Sequence, residues 1–231
     1  FEYLKTNING TLNILEIMRK LKIKKIIYAA SSSCYGIPNK YPTDENAKID
    51  PQYPYALTKR MGEELVMHWS KLYALNAISL RFFNVYGNGQ KSDGAYSAVI
   101  PKFVDLMLDG KTPIVNGDGL QTRDFIHVED VCTAVLSLIE GDWKAVNHHV
   151  FNVATQTKIS LLDLIDTINQ ILVKVNHLND SIDPVFGPSR KGDIQHSLAD
   201  IQRMKNTFNW KPKVDLQRGL EDMIHSRKAN R

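Results

Sequence analysis

Tyr55 and Lys59 stand four residues apart in the run Tyr55-Ala-Leu-Thr-Lys59. In a helix that spacing stacks a phenol and an ammonium on one face, where both can act on one ligand. A nearby ammonium favours the phenolate form, so the pair is suited to taking a proton from a hydroxyl and giving it back. Alone, such a pair is common on helices of no catalytic consequence. Ser31 adds weight, because it closes the apolar run Ile26-Ile27-Tyr28-Ala29-Ala30. The carboxyl end of a buried strand is where open α/β sheets bind their ligands. A strand-end hydroxyl, a phenol and an ammonium would form a three-member proton relay. The plainer reading of Ser31-Ser32-Ser33 is a polar turn with capping duty.

These groups need elements to hold them, and the hydrophobic pattern supplies candidates. Over residues 7–22, Ile8, Leu12 and Leu15 share a helical face that Ile14, Ile17, Met18 and Leu21 broaden, so this helix has both a sheet and another helix to cover. A second helix is predicted over 55–75, with Met61, Leu65, Trp69 and Leu72 in one stripe. Strands are predicted at 77–83, 114–115, 125–126 and 150–153, and helices over 99–108 and 131–139. Ser160 with Asp163 reads as a capping box ahead of Leu161, Leu164, Ile165 and Ile168. Strands alternating with helices argue for an α/β fold with a parallel sheet and a mixed C-terminal lobe from about residue 92.

With 43% hydrophobic and 23% charged residues, the chain falls among globular sequences rather than disordered or membrane ones. Its formal charge of +4 is scattered among acids rather than gathered in basic blocks, so nucleic acid is not the expected partner and a phosphorylated small molecule is. Cys34 and Cys132 are far apart and in no paired motif, which suits a reducing cytoplasm. No apolar run is long enough for a bilayer span, so no membrane partner is expected. His127, His148, His149 and His196 match no ligand template, and no metal is expected. Phe1 opens directly into a helix-like stretch, so the chain is expected to begin in mid-domain.

Five motifs stand in a characteristic order: Asn7-Ile-Asn-Gly-Thr-Leu-Asn13, Tyr28-Ala-Ala-Ser-Ser-Ser-Cys-Tyr-Gly36, Tyr55-Ala-Leu-Thr-Lys59, Arg81-Phe-Phe-Asn-Val-Tyr-Gly87 and Arg123-Asp-Phe-Ile-His-Val128. Together they resemble the extended short-chain dehydrogenase/reductases, the NAD-dependent epimerase/dehydratase group. The resemblance implies a Rossmann-like parallel sheet, with residues 1–91 the remainder of the cofactor domain. Residues 92–231 would be mainly a substrate lobe interleaved with returning Rossmann elements. It implies NAD as cofactor, bordered by Asn7, Ser31, Tyr55, Lys59, Phe82 and Phe83, with Ser31, Tyr55 and Lys59 catalytic. The sequence departs from the family at its start. No Gly-rich turn for the pyrophosphate and no acidic residue for the adenosine ribose is found, so these residues alone are expected to bind NAD poorly.

Relatives of this kind that eliminate water carry Asp-Glu after the relay serine, and decarboxylating ones carry a Glu at the second place; here both are serines, Ser32 and Ser33. The simpler reaction remains, 4-epimerisation of a UDP-sugar through a transient 4-keto sugar. The resemblance puts Ser32 and Ser33 beside the sugar, Asn84 at the diphosphate, and Val99 and Asn116 at the uracil. It puts Arg123 and Arg190 on phosphate and Asp193 on a ribose hydroxyl. Ser197 stands where epimerases of plain hexoses carry a bulky Tyr, leaving room for an N-acetyl group. UDP-N-acetylglucosamine and UDP-N-acetylgalactosamine, or their uronic acids, are therefore the expected substrates, serving surface-polysaccharide synthesis. UDP-glucose, a dehydratase or decarboxylase reaction, and a nucleotide-binding module without turnover are the alternatives. The two helices that begin near Asn7 and Tyr55 would join a second copy in a four-helix homodimer interface.

Overall fold

The computed structural model of the chain describes residues 2–92, 98–143, 149–189 and 194–229. A π-helical turn (Leu4–Gly10) runs into α1 (Thr11–Leu21), followed by β1 (Lys25–Ser31) and a 3-10 turn (Ser32–Tyr35). Then come α2 (Pro54–Tyr73), β2 (Asn76–Phe82), β3 (Asn84–Tyr86), α3 (Val99–Leu108), β4 (Ile114–Asn116), β5 (Thr122–Arg123), β6 (Phe125–His127) and α4 (Val128–Glu140). The chain continues through β7 (His149–Val153), β8 (Ile159–Ser160), α5 (Leu161–Lys174), β9 (Val185–Gly187), α6 (Gln202–Phe208) and α7 (Leu216–Ala229).

Contacts divide the chain into two compact units, the first comprising Phe1–Phe83, Thr133–Gln156 and Ala199–Lys211. Its sheet has the order β1-β2-β7, both pairings parallel, and Ser31, Phe82 and Val153 lie level at the carboxyl ends. Parallel strands of α/β sheets read as apolar runs: β2 is buried over five of its seven residues, and β1, though apolar from Ile26 to Ala30, is fully buried only at Ala30. Leu15, Val66 and Ala77 join α1, α2 and β2 in one apolar cluster. Pro54 opens α2 after the extended Tyr53, where its missing N–H costs nothing, and left-handed Ala74 ends it.

The second unit comprises Asn84–Cys132, Thr157–Leu198 and Pro212–Arg231. Its core gathers Ile100, Phe103, Val104 and Met107 of α3, Leu164, Ile165, Ile168 and Leu172 of α5, and Leu220, Met223 and Ile224 of α7. The capping box on α5 is formed in both directions between Ser160 and Asp163. Around this core run three two-stranded sheets, β3 with β6, β4 with β9, and β5 with β8.

The first helix departs from the expected continuous α-helix, since its opening turn is π-helical. Strands β3, β5, β8 and β9 were also unforeseen, because segments of two or three residues carry too little alternation to show a period. Among the described residues, no helix is long and apolar enough to cross a membrane.

Candidate active site

All three expected relay residues belong to the first unit. Ser31 is the last residue of β1, and α2 packs against both β1 and the turn Ser32–Tyr35. The Lys59 ammonium donates a hydrogen bond to the Ala29 carbonyl, two residues before Ser31, and lies 5.1 Å from the centre of the Tyr28 ring. This places the face of α2 that carries Tyr55 and Lys59 over the carboxyl end of β1. Burial lowers the Lys59 pKa, and among the described residues Ala29 is its one hydrogen-bond acceptor.

Tyr55 is half-buried, with the Tyr3 ring edge-on at 5.5 Å. Its carbonyl accepts from Thr58 Oγ1 (3.0 Å), and Thr58 Oγ1 in turn accepts from Asn7 Nδ2 (3.0 Å). Asn7 therefore ties the π-helical turn to the first turns of α2. Gly62 makes this approach possible: a Cβ there would sit 2.1 Å from Tyr28 Oη and 2.8 Å from the Asn7 carbonyl oxygen.

Ser31 also caps. Its Oγ accepts from Ser33 N at 3.2 Å and lies 2.8 Å from Ser33 Oγ. The expected capping duty is therefore met by the Ser31 hydroxyl. Phe82 ends β2 level with Ser31, and buried Phe83 binds the Val153 carbonyl through its N–H at 3.1 Å.

A chain of buried polar groups that sequence reasoning missed lies beneath these residues. Glu63 is 1% exposed and takes Arg81 Nε (3.0 Å), Arg81 Nη2 (2.7 Å), Ser79 Oγ (2.8 Å) and Arg60 Nη1. Burial by itself would raise the Glu63 pKa, but hydrogen bonds and charge from Arg81, with Ser79 and Arg60, hold it below the usual carboxylate range. Arg81 Nη1 donates to Tyr35 Oη (2.9 Å), which donates to Asn152 Oδ1 (2.7 Å). Burial pushes the Tyr35 phenol up and keeps it a neutral donor. One signal was available: Glu63 continues the four-residue step from Tyr55 through Lys59.

Ser32 and Ser33, expected beside the sugar, belong to the first unit, and the other residues expected on the substrate to the second. Arg123 donates through Nη1 to the carbonyls of Thr122 (2.9 Å) and Ile194 (2.6 Å). The Thr122 carbonyl accepts from Ser197 N (3.1 Å), so Arg123 and Ser197 flank one backbone bridge. Asn116 ends β4 opposite Gly187, Asn84 opens β3 opposite Phe125, and Val99 begins α3. Arg190 and Asp193 lie outside the described residues, as does His148. Among the described residues, no three His, Cys, Asp or Glu side chains gather as a metal set.

A parallel sheet whose strands end level, with a helix carrying a Tyr and a Lys four residues apart packed on its first strand, defines a class, that of Rossmann-type short-chain dehydrogenase/reductases. The chain belongs to the NAD dependent epimerase/dehydratase family, whose profile matches residues 1–154. Membership makes it an enzyme with NAD as cofactor. It is 37% identical over 225 residues to a putative UDP-glucose 4-epimerase of Methanocaldococcus jannaschii, covering 97% of this chain and 70% of that one. Among solved structures it resembles the UDP-N-acetylglucosamine 4-epimerase of Methanobrevibacter ruminantium in complex with UDP-N-acetylmuramic acid. The TM-score is 0.91 at 32% identity, covering 100% of this chain and 71% of that one. It also resembles the UDP-glucose 4-epimerase of Thermotoga maritima with UDP-glucose, with a TM-score of 0.89 at 32% identity, covering 98% and 70%.

Proposed function

We propose that the protein inverts the configuration at C4 of a UDP-sugar. Its preferred pair would be UDP-N-acetylglucosamine and UDP-N-acetylgalactosamine or their uronic acids, made in the cytoplasm for surface-polysaccharide synthesis. The observation that carries the reaction is the Lys59 ammonium held at the Ala29 carbonyl, which sets the α2 face against the Ser31 end of β1. The donor chemistry fits the nicotinamide end of NAD. Lys59 spends one hydrogen on Ala29 and keeps others for ribose hydroxyls at the sheet end where such cofactors lie. When bound, NAD accepts a hydride from the sugar carbon and returns it.

The chain's own groups handle the proton. As a phenolate stabilised by Lys59, Tyr55 takes it from the sugar 4-hydroxyl; as the neutral phenol it then gives the proton back and returns to the phenolate. Either hydroxyl of the Ser31–Ser33 pair can donate; when Ser33 Oγ does, Ser31 keeps its own O–H for the sugar oxygen. Ser32 and Ser33 offer no carboxyl group for losing water or carbon dioxide, which supports epimerisation over those reactions. Asn84, Val99, Asn116, Arg123, Arg190, Asp193 and Ser197 are assigned to the nucleotide sugar, with Ser197 sparing space for an N-acetyl group. The name of the Methanobrevibacter relative supports the acetylated substrate, and those of the other two support UDP-glucose as a second reading.

The full-length protein, given NAD and separately UDP-N-acetylglucosamine, its uronic acid and UDP-glucose, should convert one of the first two about tenfold faster than the third. Turnover of UDP-glucose alone would overturn the substrate assignment. Tyr55→Phe should cut kcat by about 10²–10⁴-fold, and full activity in that variant would overturn the mechanism.

Exposed apolar side chains on α1 and α2 support a homodimer. Ile14, Ile17, Leu21, Leu57, Met61 and Leu72 are between 39% and 66% exposed, at spacings that form one stripe on each helix. Two such pairs of helices would make a four-helix interface.

A further inference from the structure

We propose that Glu63, Arg81 and Tyr35 are positioning residues, a buried brace that sets the Ser31 turn in register with the Tyr55–Lys59 face of α2. The proposal rests on the reaction assigned above. Glu63 stands one turn further along α2 than Lys59, on the same face, so its carboxylate anchors the helix from below. Arg81 answers it from β2 with two parallel N–H bonds, at 3.0 and 2.7 Å. In the sheet register Arg81 is opposite Ala30, and its neighbour Phe82 is opposite Ser31.

The remaining Arg81 nitrogen reaches the other half of the relay. Nη1 donates to Tyr35 Oη at 2.9 Å and to the Glu45 carbonyl at 3.3 Å, while the guanidinium carbon lies 4.8 Å from the centre of the Tyr35 ring. Tyr35 closes the turn that Ser31 opens. Its hydroxyl donates to Asn152 Oδ1, and Asn152 Nδ2 donates in turn to the carbonyls of Thr43 (2.9 Å) and Asp200 (3.1 Å). Just beyond, Gly36 has φ +64° and passes so near the Asp50 carbonyl that a Cβ would lie 2.0 Å from its oxygen. One unbroken chain of directional bonds thus joins the helix that bears the phenol and ammonium to the turn that bears the hydroxyl.

Stability alone does not account for this arrangement. A buried ion pair surrenders hydration, and apolar residues of similar volume commonly serve stability as well or better. A planar guanidinium fork instead fixes both distance and angle, where an apolar contact would allow sliding. Catalysis by a relay is sensitive to misplacement on the scale of 1 Å, which can cost about 10²-fold in rate.

Tyr35→Phe keeps the ring and deletes only the hydroxyl, so it tests the brace without emptying the core. Two quantities would be read on the full-length protein: hydrogen exchange by segment, and kcat and KM for the converted UDP-sugar with NAD. Exchange across residues 31–36 should rise about tenfold or more while β2 and α1 keep wild-type protection. The kcat should fall about tenfold or more, with KM unchanged within about twofold. Arg81→Lys, which keeps the charge but loses the fork, should show the same pattern more strongly. Wild-type turn protection and wild-type kcat in Tyr35→Phe would overturn the proposal. So would loosening spread evenly over all segments with kcat following the folded fraction. If wild-type protein converts no nucleotide sugar, the reaction reading fails, and exchange alone decides the brace: loss confined to the turn upholds it, and an unaltered turn overturns it.

Discussion

Glu63 shows how much one side chain can hold in this protein. Its two oxygens, themselves shut off from water, satisfy Arg81 twice, Ser79 and the partly exposed Arg60. Replacing it with Gln would leave Arg81 as an uncompensated buried cation, and removal of one partner of such a pair costs about 3–5 kcal/mol. Glu63→Gln should therefore lower the urea midpoint sharply at neutral pH. The pH dependence follows from the depressed carboxylate. A folded-state pKa below the unfolded value contributes stability that is present above the unfolded value, near 4.3, and is lost as pH falls through the folded one. The gap between wild type and Glu63→Gln should be constant from about pH 6 to 8 and shrink below about pH 4. A gap that stays constant into acid would show that Glu63 is not held ionised by its partners.

Among the elements, α2 bears both Tyr55 and Lys59, and its seating depends on Gly62. An alanine in a helix interior is normally worth about 1 kcal/mol over glycine. Here the added methyl group would meet Tyr28 Oη and the Asn7 carbonyl inside van der Waals contact, and overpacking of this kind costs about 1–3 kcal/mol. Gly62→Ala should thus destabilise rather than stabilise, by about 1 kcal/mol in chemical denaturation. Adding Tyr28→Phe, which removes the nearer obstructing oxygen, should recover part of the loss. A net gain in the single variant would mean that the π-helical turn moves aside freely and does not fix Asn7 on α2.

For the molecule as a whole, the exposed stripes on α1 and α2 predict association through about 1,200–2,000 Å² of buried surface, the range of stable pairs. Sedimentation of the full-length protein at micromolar concentration should give a dimer, and Ile17→Glu with Leu57→Glu should give a monomer; wild-type protein sedimenting only as a monomer would remove the interface. Much of this was legible in the chain itself. The parallel sheet followed from the apolar run at 26–30 and from the mainly apolar stretch at 77–83, whose two polar residues, Ser79 and Arg81, are buried against Glu63. The α5 cap was legible because Ser160 and Asp163 bond within one turn. Tyr55 and Lys59 were legible because helical geometry alone makes residues four apart neighbours. Only the tertiary structure disclosed that Glu63, Arg81, Tyr35 and Asn152 form one chain, since these lie 18 to 117 positions apart in the hydrogen bonds that link them. It also divided the apolar stripe of α1, burying Leu15 and Met18 and leaving Ile14, Ile17 and Leu21 open. Periodicity records that a face is apolar, whereas which part of it is covered depends on elements brought against it from elsewhere in the chain.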